Sequence, residues 1–306
     1  MKFPIAKPKG IGFGTCLALV MATMVGTGVY TSLGFQLQDL NGGFSILLVW
    51  LAGGIISLCG ALSYAELSSR IPASGGEYAY LSEAYHPALG FMAGFVSLVA
   101  GFTAPIALAA IAFGSYLHAA CPGISEHIAA LSAVLALSLI HLRSLEQSAL
   151  LQNLMTAVKF SLLGIFLILG IVFCVRNPGH LAAIAPSGSS FSELIRPSTG
   201  VALLFVLYAY SGWNAPTYMS SEVRNPQSTV GRSLAVGTLV VTVLYVMTNA
   251  VFLTAAPASA LRGKLDVGGI AADFLMGPTG GAVMSALIAV GLLASLGAMI
   301  LAGPRV

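Results

Sequence analysis

Apolar residues run through this chain in blocks too long for the helices of a soluble core. Eight blocks, roughly 11–34, 44–66, 88–117, 126–142, 149–175, 199–221, 234–256 and 281–303, are separated by short polar stretches. An α-helix needs about 20 apolar residues to cross a hydrocarbon core of about 30 Å, so the pattern predicts eight membrane helices. The third is long enough to tilt.

Two blocks carry their own interruption. In the first it is Gly26-Thr27-Gly28, and in the sixth Ser211-Gly212-Trp213-Asn214-Ala215-Pro216. Glycine loosens a helix; proline removes a backbone donor and crowds the preceding turn. The sixth-block interruption starts about 18 Å into the helix at 1.5 Å per residue, near mid-membrane. Unwound backbone at that depth is tolerated only against protein or a wet cavity. Interruptions in corresponding positions of two halves point to a transporter binding site. Blocks one and six lie five crossings apart, so they enter from opposite sides, as an inverted repeat requires.

Half-helix N-termini offer free N–H groups and a partial positive charge, and C-termini offer free carbonyls. A zwitterionic amino acid needs both. The expected substrate site is Val25, Gly26, Thr27, Gly28 and Val29 with Tyr208, Ala209, Tyr210, Ser211, Gly212, Trp213 and Asn214. Within it the N–H groups of Thr27, Gly28 and Val29 are expected to hold the carboxylate. The carbonyls of Tyr208, Ala209 and Ser211 are expected to hold the ammonium, with Tyr210 and Trp213 as an apolar wall or lid.

Composition agrees with a lipid solvent. Of the 306 residues 57% are hydrophobic and 8% charged, where soluble domains carry about 25% charged. The basic residues stand singly, with no patch for a nucleic acid. With the N-terminus inside, Lys2, Lys7, Lys9, Arg70, Arg143, Arg224, Arg232 and Arg305 fall on the cytoplasmic side, and Arg176, Arg196, Arg262 and Lys264 outside. That excess predicts a cytoplasmic N-terminus and a multi-pass protein of the cell membrane. Cys16, Cys59, Cys121 and Cys174 are scattered without ligand spacing, so neither a metal nor a cofactor is expected. Catalytic motifs are missing and the blocks hold few acids or histidines, which argues against an enzyme.

Lys159 is the one charged residue deep inside a block, about 15 Å into the fifth. A lysine there costs at least ~2.5–3.5 kcal/mol on insertion scales, and a lysine out of water releases its proton more readily. It is read as a proton-coupling residue or a fixed cation in place of a bound sodium ion.

Several segments together resemble the APC (amino acid–polyamine–organocation) superfamily of permeases. They are Gly26-Thr27-Gly28-Val29-Tyr30; Glu66-Leu67 with the loop Arg70-Ile71-Pro72-Ala73-Ser74-Gly75-Gly76-Glu77-Tyr78-Ala79-Tyr80; and Tyr208-Ala209-Tyr210-Ser211-Gly212-Trp213-Asn214 with Glu222-Val223-Arg224-Asn225-Pro226. Lys159 sits where proton-coupled members carry a fifth-helix lysine. The resemblance implies an all-α integral membrane protein of LeuT-like fold in a single domain, with broken helices 1 and 6. The first five-helix repeat would be complete over 1–175 and the second partial over 199–306. The family typically has twelve spans, so a chain truncated after eight is expected.

The function expected is secondary active transport of amino acids, coupled to protons by alternating access. An amino acid or polyamine exchanger is the alternative. The short chain also leaves open a non-transporting fragment, a binding subunit, or a need for an additional chain supplying the missing helices.

Overall fold

The computed structural model describes residues 10–142, 145–188 and 190–305. The basic residues Lys2, Lys7, Lys9 and Arg143 of the orientation argument lie outside the described residues, as does Val306. The described part is helical, its only strand-like pairing being the parallel bridge between Ile11 and Val223.

Helices α1 (Phe13–Met24) and α2 (Thr27–Asp39) form the first crossing as two halves. Helix α3 (Gly43–Arg70) makes the second, and a loop leads to the short α4 (Glu77–Ala84). The third crossing is α5 (Pro87–Val96) continued through a π-helical stretch, Ser97–Thr103, into α6 (Ala104–Ala120). Then come α7 (Glu126–His141) and α8 (Leu145–Arg176). A 3-10 turn (Pro178–Ile184) and α9 (Ser190–Leu194) precede α10 (Pro197–Tyr210), a 3-10 segment (Ala215–Glu222) and α11 (Pro226–Ala255). Helices α12 (Ala258–Leu261), α13 (Val267–Met276) and α14 (Pro278–Ala302) complete the order.

Among the described residues, six segments are long and apolar enough to span: Phe13–Asp39, Gly43–Arg70, Pro87–Ala120, Asn153–Arg176, Pro226–Ala255 and Pro278–Ala302. The eight expected crossings therefore include two that fall short of that length. Helix α7 has 16 residues, about 24 Å at 1.5 Å per residue. Helix α10 stops after 14 because its continuation winds as a 3-10 segment.

The broken first crossing and α14 lie at the centre, with 67% of each apolar window buried, against 17% for Pro87–Ala120. Helix α1 packs on α8, α11 and α14, while α10 packs on α2 and α3. Leu131, Leu135 and Leu139 of α7 and Phe91, Phe95 and Ile111 of the third crossing face outward. Leaving them bare in water would forfeit burial worth about 1.5–3 kcal/mol for each side chain, so this rim requires lipid.

Candidate substrate site

Both interruptions are real; the first sits slightly off its sequence motif, and the second begins where its motif does. The first falls at Val25 and Gly26, with Val25 at φ −74°, ψ 89° and Gly26 at φ −127°, ψ −147°. Thr27 and Gly28 already belong to α2. The second begins at Ser211 (ψ 154°) and turns through Gly212 at φ 101°. Pro216 does not break the helix; it opens the 3-10 segment, where its missing N–H costs nothing.

The two breaks touch. A Cβ on Gly28 would stand 2.6 Å from the Cα and Cβ of Ala209. Glycine there lets the half-helices meet, and any side chain would drive them apart. At Gly212 the left-handed backbone also excludes side chains, and its carbonyl accepts the Thr23 hydroxyl at 2.8 Å.

Around this contact lies a cavity of about 300 Å³. Of the expected site residues, Thr27, Gly28, Tyr208, Ala209, Ser211, Gly212 and Asn214 line it; Val25, Gly26, Val29, Tyr210 and Trp213 are not in the wall. Thr27 and Tyr208 also line an outer groove of about 610 Å³, so this pair stands between the two spaces. Asp266 edges that groove; burial raises its carboxyl pKa and the Gly269 N–H lowers it.

The N–H groups of Thr27, Gly28 and Val29 form the first turn of α2, where no intrahelical acceptor exists and no side chain caps the end. They are the donors an anion would meet. The carbonyls expected to hold an ammonium are less free. That of Tyr208 accepts the Ser211 N–H (3.0 Å) and hydroxyl (2.7 Å), and that of Ala209 lies 2.9 Å from the Tyr245 hydroxyl. Unwound backbone out of water has to find partners inside the protein: the Tyr208 carbonyl has found two donors and the Ala209 carbonyl one.

The aromatic wall needs correction. Tyr210 is fully buried on the far side of α10, its hydroxyl donating to the Trp50 carbonyl at 3.1 Å and its ring 4.9 Å from that of Tyr245. Trp213 turns edge-on to Tyr64 at 4.9 Å and packs over Gly60. Helical rotation decides this: two residues along a helix turn the side chain through about 200°, so Tyr208 and Tyr210 cannot share a face.

Lys159 is 2% exposed. Its amine donates to the carbonyls of Ala22 (3.2 Å) and Val25 and to the Ser295 hydroxyl (2.5 Å), which in turn donates to Val25 at 2.6 Å. These are the terminal carbonyls of α1, the negative end of its dipole. Three acceptors match the three N–H bonds of an ammonium. Among the described residues no carboxylate pairs with it.

Sequence reasoning passed over Tyr245 and Ser295, which hold the first break, and Glu77, which lines the cavity. Tyr245 and Ser295 read as ordinary polar residues of apolar helices. Glu77 was visible only as part of a loop motif, and nothing local shows that the loop reaches the cavity.

Among known proteins, a family model described as amino acid permease matches residues 11–306. The serine/threonine exchanger SteT of Bacillus subtilis is 31% identical over 303 residues, covering 97% of this chain and 67% of that protein. The b(0,+)-type amino acid transporter 1 of Mus musculus is 29% identical over 254 residues, 80% of this chain and 51% of the relative. The Homo sapiens cystine/glutamate transporter is 28% identical over 244 residues, 78% and 48% respectively. The chain thus spans about half to two-thirds of the length of these relatives. With two broken crossings meeting at a central cavity and a family match along nearly its whole length, this multi-pass membrane protein belongs to the amino acid permease family of the APC superfamily.

Proposed function

We propose that the chain carries the substrate-binding half of an amino acid transporter of the cell membrane, working by alternating access. The carrying observation is the contact of Gly28 with Ala209 beside a cavity of about 300 Å³. That volume is at the low end of ligand cavities and suits a single amino acid. The α2 N-terminus receives the carboxylate, and the Ser211 carbonyl, together with the remaining lone pair at Ala209, receives the ammonium. Thr27 and Tyr208, placed between cavity and outer groove, are positioned to divide the two sides.

Lys159 is proposed as the coupling residue. Its amine binds the last carbonyls of α1, so losing its proton would weaken its hold on the half-helix that shapes the site. The loop charges orient the N-terminus to the cytoplasm.

The test is calorimetry on the purified chain with a panel of L-amino acids. At least one amino acid of the panel is expected to bind, and Gly28→Val to weaken it at least 100-fold. Unchanged affinity in Gly28→Val would remove the site from the breaks. A second reading, obligatory exchange, is supported by the similarity to a serine/threonine exchanger. Counterflow in vesicles without a proton gradient separates it from symport. A relative described as a transporter small subunit, the large neutral amino acids transporter small subunit 2 of Mus musculus, supports a partner chain as a further proposal.

A further inference from the structure

Among the described residues the cavity wall holds one formal charge, that of Glu77, and it is negative. The only other ionisable groups in the wall, among the described residues, are the phenols of Tyr208 and Tyr218. Lys159 stands behind α1 and does not reach this space.

Glu77 reaches the cavity because the loop before α4 comes unusually close to the sixth crossing. Gly75 and Gly76 have φ of 111° and 52°, and a Cβ on Gly76 would lie 2.7 Å from the Tyr218 ring. The carboxylate then accepts three neutral donors. The Tyr64 hydroxyl (3.0 Å) and Asn214 amide (2.5 Å) donate to Oε1, and the Tyr218 hydroxyl donates to Oε2. Among the described residues the only ion pair is Arg70–Glu66, outside the cavity. So Glu77 is ordered by hydrogen bonds and left without a counter-charge. An ionised carboxylate has about four acceptor sites, and three are used. In a confined, partly desolvated space such a charge attracts a cation more strongly than it would in water.

We propose that Glu77 is a cation-recognising residue at the α4 end of the cavity, and that the chain takes amino acids with a cationic side chain. This rests on the transporter reading above. With the amino acid head at the helix breaks, the side chain runs along Ser97, Gly101 and Asn214 toward Glu77. A guanidinium or ammonium there neutralises the carboxylate. A neutral side chain of the same length leaves it uncompensated, which is a strong basis for rejection.

The test compares binding of L-arginine with its neutral near-isostere L-citrulline, and L-lysine with L-norleucine, to the purified full chain. The wild type is expected to prefer each cationic member at least tenfold, and Glu77→Gln to reduce that ratio below about threefold. Glu77→Asp, which keeps the charge, retains a preference and serves as the informative variant if Glu77→Gln fails to fold. A wild-type ratio near one, a ratio preserved in Glu77→Gln, or a preference lost in Glu77→Asp would each overturn the assignment. L-Alanine separates the two failures. Its binding without any cationic preference sinks the Glu77 assignment alone, whereas no binding of any amino acid sinks the transporter reading itself.

Discussion

The two breaks solve the same problem with opposite means. At the first, only Val25 and Gly26 leave the helix, and both flanking pieces are α-helical. Its bared carbonyls are met from outside by a cation, Lys159, together with Ser295 and Tyr245. At the sixth, four residues unwind, Gly212 takes a left-handed conformation, and the chain continues as a 3-10 segment. There the exposed groups include the donors of Asn214 and Tyr218, and a carboxylate, Glu77, meets them. The sign of each charge follows from what surrounds it: backbone acceptors hold the buried cation Lys159, and side-chain donors hold the half-buried carboxylate of Glu77. Neither charge has an ionic partner among the described residues, so each depends on backbone or neutral side chains to stay in place.

The strongest way to break this comparison is to remove the cation. Lys159→Met keeps the stem volume but leaves the carbonyl of Ala22 unmet and that of Val25 with Ser295 alone. A buried acceptor left unsatisfied costs about 1–3 kcal/mol, so a loss of about 3 kcal/mol in stability is expected, read as a lower Tm of the detergent-purified chain. Uptake by reconstituted Lys159→Met is expected to lose its response to an imposed pH gradient. Unchanged Tm and unchanged pH response would show that the first break needs no cation.

Next in size is the residue that serves both breaks. The Tyr245 hydroxyl lies 2.5 Å from the Met24 carbonyl oxygen and 2.9 Å from that of Ala209, so one side chain ties α1 to α10. Tyr245→Phe keeps the ring packing on Trp50 and Tyr210 and removes only the oxygen. The expected loss is about 1–2 kcal/mol, with substrate affinity falling as well because the mutual position of the breaks loosens. A fall in Tm without any change in affinity would mean that Tyr245 stabilises the fold but does not set the site.

These residues also mark how far the sequence was legible. Both interruptions were readable because glycine and proline act locally, and Lys159 because a charge in an apolar block is conspicuous against its neighbours. The long helices were readable from length alone. What could not be read depended on rotation and on distance in space. Tyr210 and Trp213 sit in the right segment and point away from the cavity, Tyr210 by helical rotation toward Trp50 and Trp213 by packing of an irregular turn against Tyr64. Glu77 and Tyr245 lie 137 and 36 residues from the groups they bond in the sixth crossing, and no pattern within their own helices reports that. The first break was also displaced by a residue or two, because Thr27 and Gly28 are compatible with a helix once Gly26 has let the chain turn.

The smallest effect is expected where an ion pair looks strongest by distance. Arg70 and Glu66 stand one helical turn apart at 2.6 Å, closer than Lys159 is to the Ala22 carbonyl. Yet the two side chains are 75% and 61% exposed, so water already solvates both charges and salt screens what attraction remains. Such i,i+4 pairs contribute about 0.3–0.5 kcal/mol, and holding two long side chains in one geometry offsets part of that. Arg70→Ala is therefore expected to leave Tm within about 1 °C and binding within twofold, an order of effect below Lys159→Met. Distance alone would rank the two the other way. If Arg70→Ala proved as damaging as the loss of Lys159, this end of α3 would have to be doing more than carrying a solvated pair, and its neighbours in the loop that delivers Glu77 would be the place to look.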